Sequence, residues 1–281
     1  MKDKGFLVLA QNTKTTDYVM QACLLAMSLH ATKNSAPISL VTNDEVPLSY
    51  QSLFDKIIPI PFNDDAKDKD WKIENRWKLY HATPYQETIV LDTDMLVLEN
   101  IDVWWNLLKN YDVYYTSNVY DYRGNLSDTC YYRKAFIENN LPNLFSGFHY
   151  FKKNEFAQSF YKEVELVVNN WQAFYEIALG KFTPDFVSMD VVAAIASINL
   201  DCVTEITNPL IKNPTFTHMK VHCQDWSETS HNWLDKIGCY ISPDCKIKLG
   251  NYIQTGILHY TEDNFVEKTP VLERYKVLLN V

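Results

Sequence analysis

The chain has 281 residues and a formal net charge of −9, with 47% apolar and 22% charged residues, the make-up of a soluble globular protein that buries one sizeable core. Lys and Arg number 26 against 35 Asp and Glu, without a basic cluster, so the chain lacks the electrostatic footprint of a duplex-binding or anionic-membrane protein. Only seven residues are glycine, no two are spaced Gly-x-Gly, and Ile257 follows Gly256 where a P-loop needs lysine, which excludes both glycine-rich phosphate cradles.

The apolar run Phe6–Ala10 is too short for a secretory leader, and no stretch approaches the ~18 apolar residues of a membrane span. Six scattered cysteines without a Cys-x-x-Cys pair read as free thiols, and the expected location is cytoplasmic.

In chain order, Phe6–Ala10 reads as a buried strand. Thr15, Thr16 and Asp17 offer N-caps to a helix whose apolar positions (Val19, Ala22, Cys23, Ala26, Leu29) recur with a 3.6 period. Strands are expected at 38–42, 56–60 and 88–91, with a charged loop at 64–70 and a helix at 74–82 that stops before Thr83-Pro84. Near-continuous apolar strands alternating with helices predict an α/β fold with a mostly parallel sheet covered on both faces. Further on, strands are expected at 112–116, 145–151 and 257–260, and helices at 154–171, 184–198 and 270–279. No periodicity is evident from 208 to 251. No linker interrupts the chain, so 1–281 is expected to be a single unit with halves 1–115 and 116–281.

The most informative stretch is Thr88-Ile-Val-Leu-Asp92-Thr-Asp94-Met-Leu-Val-Leu98. Carboxylates at i and i+2, where a buried strand reaches the C-terminal edge of a sheet, can converge on one cation, and oxygen ligands suit Mg²⁺ or Mn²⁺. Such an ion can bridge the phosphates of a diphosphate and do the work of a glycine-rich loop. A pair of turn carboxylates capping a strand end is the alternative. Asp68-Lys-Asp70 has the same spacing but sits in a charged loop without apolar neighbours, and reads as solvated.

The segment from Arg76 through Leu-Asp92-Thr-Asp94 to Asn100-Ile-Asp102 resembles the core of the glycogenin-like glycosyltransferases, family eight, which also contains lipopolysaccharide galactosyltransferases. The resemblance implies a GT-A fold with a smaller acceptor-side lobe and a retaining transfer from a nucleoside-diphosphate sugar, usually UDP. It also implies Mn²⁺ (or Mg²⁺) dependence and a sugar or other hydroxyl acceptor. It makes Asp92 and Asp94 metal ligands, Asp92 also a nucleotide contact, and Arg76 a donor contact. His259, ending Ile257-Leu-His259, becomes the third metal ligand, and Lys268, nine residues later rather than the family's six, a diphosphate contact. Tyr18 becomes the base-stacking ring and Asn12 a base contact, although the turn before them is longer than the family's. Gly147, in Phe145-Ser-Gly147, falls where a sugar approaches the backbone, without the family's asparagine. Asp190, in Ser188-Met-Asp190, is the lone acidic residue at the family's Asp-Gln-Asp; the resemblance implies that it hydrogen-bonds the donor sugar or lies near the anomeric centre, and a helix N-terminal carboxylate is the alternative.

His218 and His222, with Cys223 beside them, read as structural, and Trp226 and Trp233 either stack on an acceptor or fill the core. The leading expectation is thus a metal-dependent hexosyltransferase. A haloacid-dehalogenase-like phosphatase with Asp92 as nucleophile competes, although Leu96 stands where that motif has Thr or Val. A sugar nucleotidyltransferase would need a glycine-rich opening loop that this chain lacks. A nucleotide-sugar-binding module without turnover is the non-catalytic alternative. Nucleic acid is disfavoured as an acceptor by the acidic balance.

Overall fold

The computed structural model describes residues 2–69, 72–127, 133–212, 214–221 and 233–281. The N-terminal apolar runs form β1 (Lys2–Leu9), β2 (Ile38–Val41), β3 (Ile57–Ile58) and β4 (Tyr85–Leu91). β1 pairs in parallel with β2 and β4, and β2 with β3. Three further segments follow, β5 (Met95–Val97), β6 (Val113–Thr116) and β7 (Phe145–Lys152). β7 runs antiparallel between β4 and β6, giving the order β3-β2-β1-β4-β7-β6.

Side chains alternate across this sheet because successive Cβ atoms of a strand point to opposite faces. Phe6, Val8, Ile89 and Leu91 pack with helix Tyr18–Ala31, whereas Leu7 and Val90 pack with helices Glu155–Asn169 and Met189–Asn199. Burial on both faces is why these strands read as unbroken apolar runs, each large side chain contributing roughly 1.5–3 kcal/mol. Residue 115, the expected boundary between halves, falls inside β6, and β7 lies between β4 and β6, so the sheet draws on both halves.

A second sheet carries the rest of the site. The stretch without periodicity contains β8 (Phe216–His218), β9 (Cys239–Ile241) and β10 (Ile247–Leu249), followed by β11 (Tyr252–Ile253) and β12 (Ile257–His259). β8, β9 and β10 are three residues each, and Phe216-Thr-His218 and Ile247-Lys-Leu249 mix polar with apolar letters, so neither an apolar run nor a period registers in sequence. β12 runs antiparallel to β5 and parallel to β8, while β9, β10 and β11 form a separate antiparallel sheet.

The helices begin where a cap or turn allows. Asp17, rather than Thr15 or Thr16, caps helix Tyr18–Ala31 by accepting from Met20 N–H at 2.9 Å, and Asn154 caps Glu155–Asn169 through Ala157 N–H at 2.9 Å. The helix expected at 74–82 is instead a 3₁₀ turn, Arg76–Lys78, followed by a single α-turn, Leu79–Ala82, and the helix expected from 184 starts at Met189. No helix among the described residues is long and apolar enough to cross a membrane.

Candidate active site

Asp92-Thr93-Asp94 lies where the chain leaves one sheet for the other. β4 ends at Leu91, the turn carries the two carboxylates, and β5 begins at Met95. The backbone ties this turn to both sheets: Asp92 N–H donates to the Gly147 carbonyl on β7 at 3.2 Å, and Tyr260 N–H beyond β12 donates to the Asp94 carbonyl at 3.0 Å. Thr93 turns inward, its hydroxyl donating to Gln21 Oε1 at 3.2 Å, which leaves Asp92 and Asp94 half-buried on the other side.

The third member arrives through strand register. β12 pairs His259 with Met95, so its ring lies beside the carboxylates, with Nε2 2.9 Å from Asp94 Oδ1 and 3.9 Å from Asp92 Oδ2. Ligand atoms of Asp92, Asp94 and His259 all lie within 4.8 Å of one another. Two carboxylates and one imidazole converging at this range fit an Mn²⁺-type cation. The Nδ1 atom of His259 is buried without a partner among the described residues, which do not supply the neighbour that usually orients a metal-bound imidazole.

Arg76 completes the cluster. The 3₁₀ turn directs its guanidinium to Asp92, with Nη1 2.5 Å from Oδ1. Burial works against its charge, but Asp92, Asp94 and Asp190 outweigh it and raise its proton affinity. Asp94 shows the opposite balance: burial favours its neutral form, yet His259, Lys220 and Arg76 hold it below the usual carboxylate range. Gly147 is needed here because a Cβ would lie 2.8 Å from Met95 Cε and 3.0 Å from Asp92 Oδ2. The backbone at Gly147 therefore abuts the Asp92 carboxylate itself. Gly256 ahead of β12 has φ +66°, and a Cβ there would run into the Thr215 carbonyl.

Asp190, in the first turn of helix Met189–Asn199, has three protein donors. Its Oδ2 accepts from Arg133 Nη1 at 2.7 Å, and its Oδ1 accepts from Ser146 N–H at 2.8 Å and Ser146 Oγ at 2.6 Å. Arg133 is wholly buried, its guanidinium between the rings of Phe136 and Phe145 at 3.7 and 3.8 Å. The opposite side of Ser146 is tied as well, since its carbonyl accepts from His149 Nδ1 at 2.6 Å. Burial pushes the His149 imidazole down to about 4, so the neutral ring donates from Nδ1 and stacks on Tyr115 at 4.8 Å. A cavity of about 10 Å³ lies between Arg76, Asp92, Ser146, His149 and Tyr161, the space of one water.

The remaining expected residues divide. Tyr18 opens helix Tyr18–Ala31 half-buried on the site's side, where burial, Asp263 and Asp94 raise its hydroxyl and Arg76 opposes them. Asn12 lies next to it but spends its carboxamide oxygen on Val19 N–H at 2.9 Å, while its own N–H donates to Asp44 at 2.7 Å. Lys268 is directed elsewhere, to Asp235 at 3.6 Å on the surface. Trp233 is core and not an exposed stacking surface: it is fully buried, and its indole N–H donates to the Tyr260 carbonyl at 2.6 Å. His222, Cys223 and Trp226 lie outside the described residues, as does Asp70.

Two residues read as structural or passed over in sequence come to the site. β8 pairs His218 with His259, ring centroids 4.5 Å apart, and His218 Nδ1 accepts from Lys220 N–H at 3.2 Å. The charge of Lys220 acts on Asp94. The only trace in sequence is that Phe216-Thr-His218 ends as Ile257-Leu-His259 does, a pattern of three residues that occurs widely by chance.

No protein-family model and no curated protein matches the chain. Solved structures do. The apo form of the glycosyltransferase GlyE from Streptococcus pneumoniae superposes with a TM-score of 0.51 at 14% identity, over 99% of this chain and 63% of that one. An active-site mutant of LgtC superposes with a TM-score of 0.50 at 13% identity, over 98% of this chain and 95% of that one. The fold is that of the GT-A glycosyltransferases. This chain spans 63% of the length of GlyE.

Proposed function

We propose that the chain is a metal-dependent, retaining glycosyltransferase that moves a hexose from a UDP-sugar to a hydroxyl acceptor. The observation that carries this reading is the convergence of Asp92, Asp94 and His259 within 4.8 Å, beside Arg76, at the junction of two sheets. A divalent cation held by these three side chains would supply positive charge to the oxygens of a diphosphate leaving group.

The protein's own groups divide the remaining work. Arg76 neutralises Asp92 and holds that carboxylate in place; its partly exposed guanidinium also faces the space a donor would fill. Lys220, whose charge already acts on Asp94, is the cation we assign to the diphosphate, in place of Lys268. Tyr18 offers its ring to the base, with Asn12 holding the turn that positions it. Asp190 holds Ser146 and hence Gly147, which fixes the backbone against which the sugar would lie. The ion pair of Arg76 with Asp92 Oδ1 counts against Asp92 acting as the nucleophile of a phosphatase.

The test is thermal unfolding with UDP or GDP, each with and without Mn²⁺. A rise in Tm with UDP that requires Mn²⁺ is the expected result, since a ligand bound only by the folded state adds RT ln(1 + [L]/Kd). Slow UDP-sugar hydrolysis then separates an enzyme from a binding module. No shift with either nucleotide sinks the reading.

A further inference from the structure

Away from Asp92, the turn that carries Arg76 presents a second concave site on the other side. Arg76 reaches inward, but its neighbour Trp77 lines a groove of about 290 Å³ together with Phe62, His81, Glu165 and Asn169. Phe62 stacks on Trp77 with centroids 5.9 Å apart and planes 15° apart, and the His81 ring stands edge-on to both at 5.2 and 5.7 Å. Phe62 is 69% exposed and has φ +62°, a left-handed conformation that a bulky side chain rarely adopts. A large ring held out in water by strained backbone is what a binding surface requires and a core does not.

Three polar side chains at the groove are unspent: those of Glu165 and Asn169, one turn apart on helix Glu155–Asn169, and of Asn63 at its edge make no hydrogen bond to any described residue. Carboxylate oxygens accept, and amides donate and accept. Together they match the vicinal hydroxyls of a sugar, whose C–H face lies on one aromatic plane.

We infer that this groove binds a neutral saccharide, separately from the nucleotide and metal site. A cation is disfavoured because the groove already holds one: Lys78 Nζ lies 5.6 Å from the Trp77 ring centroid. The Asp65 carboxylate in the groove already pairs with Lys78. The inference does not depend on the transfer reaction.

Saturation-transfer NMR tests it, using the full chain without nucleotide or Mn²⁺ and the neutral probes maltohexaose, xylohexaose and chitohexaose. At least one probe binds the wild type, and Phe62→Ala or Asn169→Ala weakens it at least tenfold; both positions are exposed, so the fold tolerates them. The UDP and Mn²⁺ thermal shift is unchanged in either variant. Absence of binding by all three probes, binding undiminished in Phe62→Ala, or binding of tetramethylammonium alone overturns the inference. Saccharide binding without any nucleotide shift would leave the groove standing and remove the transferase reading.

Discussion

His259 Nε2 lies 2.9 Å from Asp94 Oδ1, and the antiparallel register of β12 on β5 puts it there. The contact joins two ligand candidates whose chain segments share no local sequence relationship. We expect Asp94→Asn and His259→Ala each to abolish the Mn²⁺-dependent thermal shift with UDP. Donor hydrolysis should fall at least ~100-fold, the scale of one lost electrostatic contact at a developing charge. Retention of the Mn²⁺ dependence in both variants would show that the cation binds elsewhere.

Gly147→Ala probes the packing beneath Asp92. A Cβ at 3.0 Å from Asp92 Oδ2 and 2.8 Å from Met95 Cε forces one of them to move. The Met95 methyl end can yield, so the fold survives at a cost of about 1–3 kcal/mol. The carboxylate shifts too, and Mn²⁺ titration should report affinity more than tenfold weaker. Unchanged affinity would show that Met95 absorbs the whole clash.

Lys220→Ala and Lys268→Ala should part company. Lys268 makes a surface ion pair with Asp235, worth roughly 0–1 kcal/mol, and its loss should leave UDP affinity within twofold. Loss of Lys220 should raise the Kd for UDP about tenfold in the presence of Mn²⁺. Calorimetry on the two variants decides the assignment, and the reverse ranking returns the diphosphate to Lys268.

Asp190→Ala distinguishes a positioning carboxylate from a reacting one. The substitution leaves the wholly buried Arg133 without its counter-ion, which costs about 3–5 kcal/mol. Denaturant unfolding should therefore show a large loss of stability together with any loss of turnover. A variant as stable as the wild type but inactive would place Asp190 in the chemistry.

His149 makes stability depend on pH. Its folded value of about 4 lies below the ~6.5 of an unfolded imidazole, so the unfolded chain binds the proton first as pH falls. This contribution is full above about pH 6.5 and declines by up to ~3 kcal/mol toward pH 4. His149→Phe, which keeps the stack on Tyr115, should flatten the slope of unfolding free energy between pH 4 and 6.5. An unaltered slope would assign the acid sensitivity to carboxylates such as Asp94.

Much of the sheet was legible because buried parallel strands are apolar on both faces, a local property that Phe6–Leu9 and Ile38–Val41 carry in their own letters. Helix starts were legible where one cap-competent residue stands alone. Asn154 follows two lysines and caps as its position suggests, whereas Thr15, Thr16 and Asp17 in a row leave the choice to backbone geometry. The strands between 208 and 251 are not legible because each is three residues long and, as in Phe216-Thr-His218 and Ile247-Lys-Leu249, lacks the apolar run that marks Ile257-Leu258.

The sequence by itself determined the chemistry available at the end of β4: two carboxylates after an apolar strand, without a glycine-rich cradle to hold phosphate. Only tertiary structure decided which partners meet them. Register between β12, β5 and β8 brings His259 and, behind it, His218 to the pair, and the 3₁₀ turn aims Arg76 at Asp92. The same packing sends Lys268 to Asp235 and encloses Asp190 between Arg133 and Ser146. Spacing along a chain encodes contacts within a helix or strand, whereas convergence of distant side chains depends on how whole elements pair and cross.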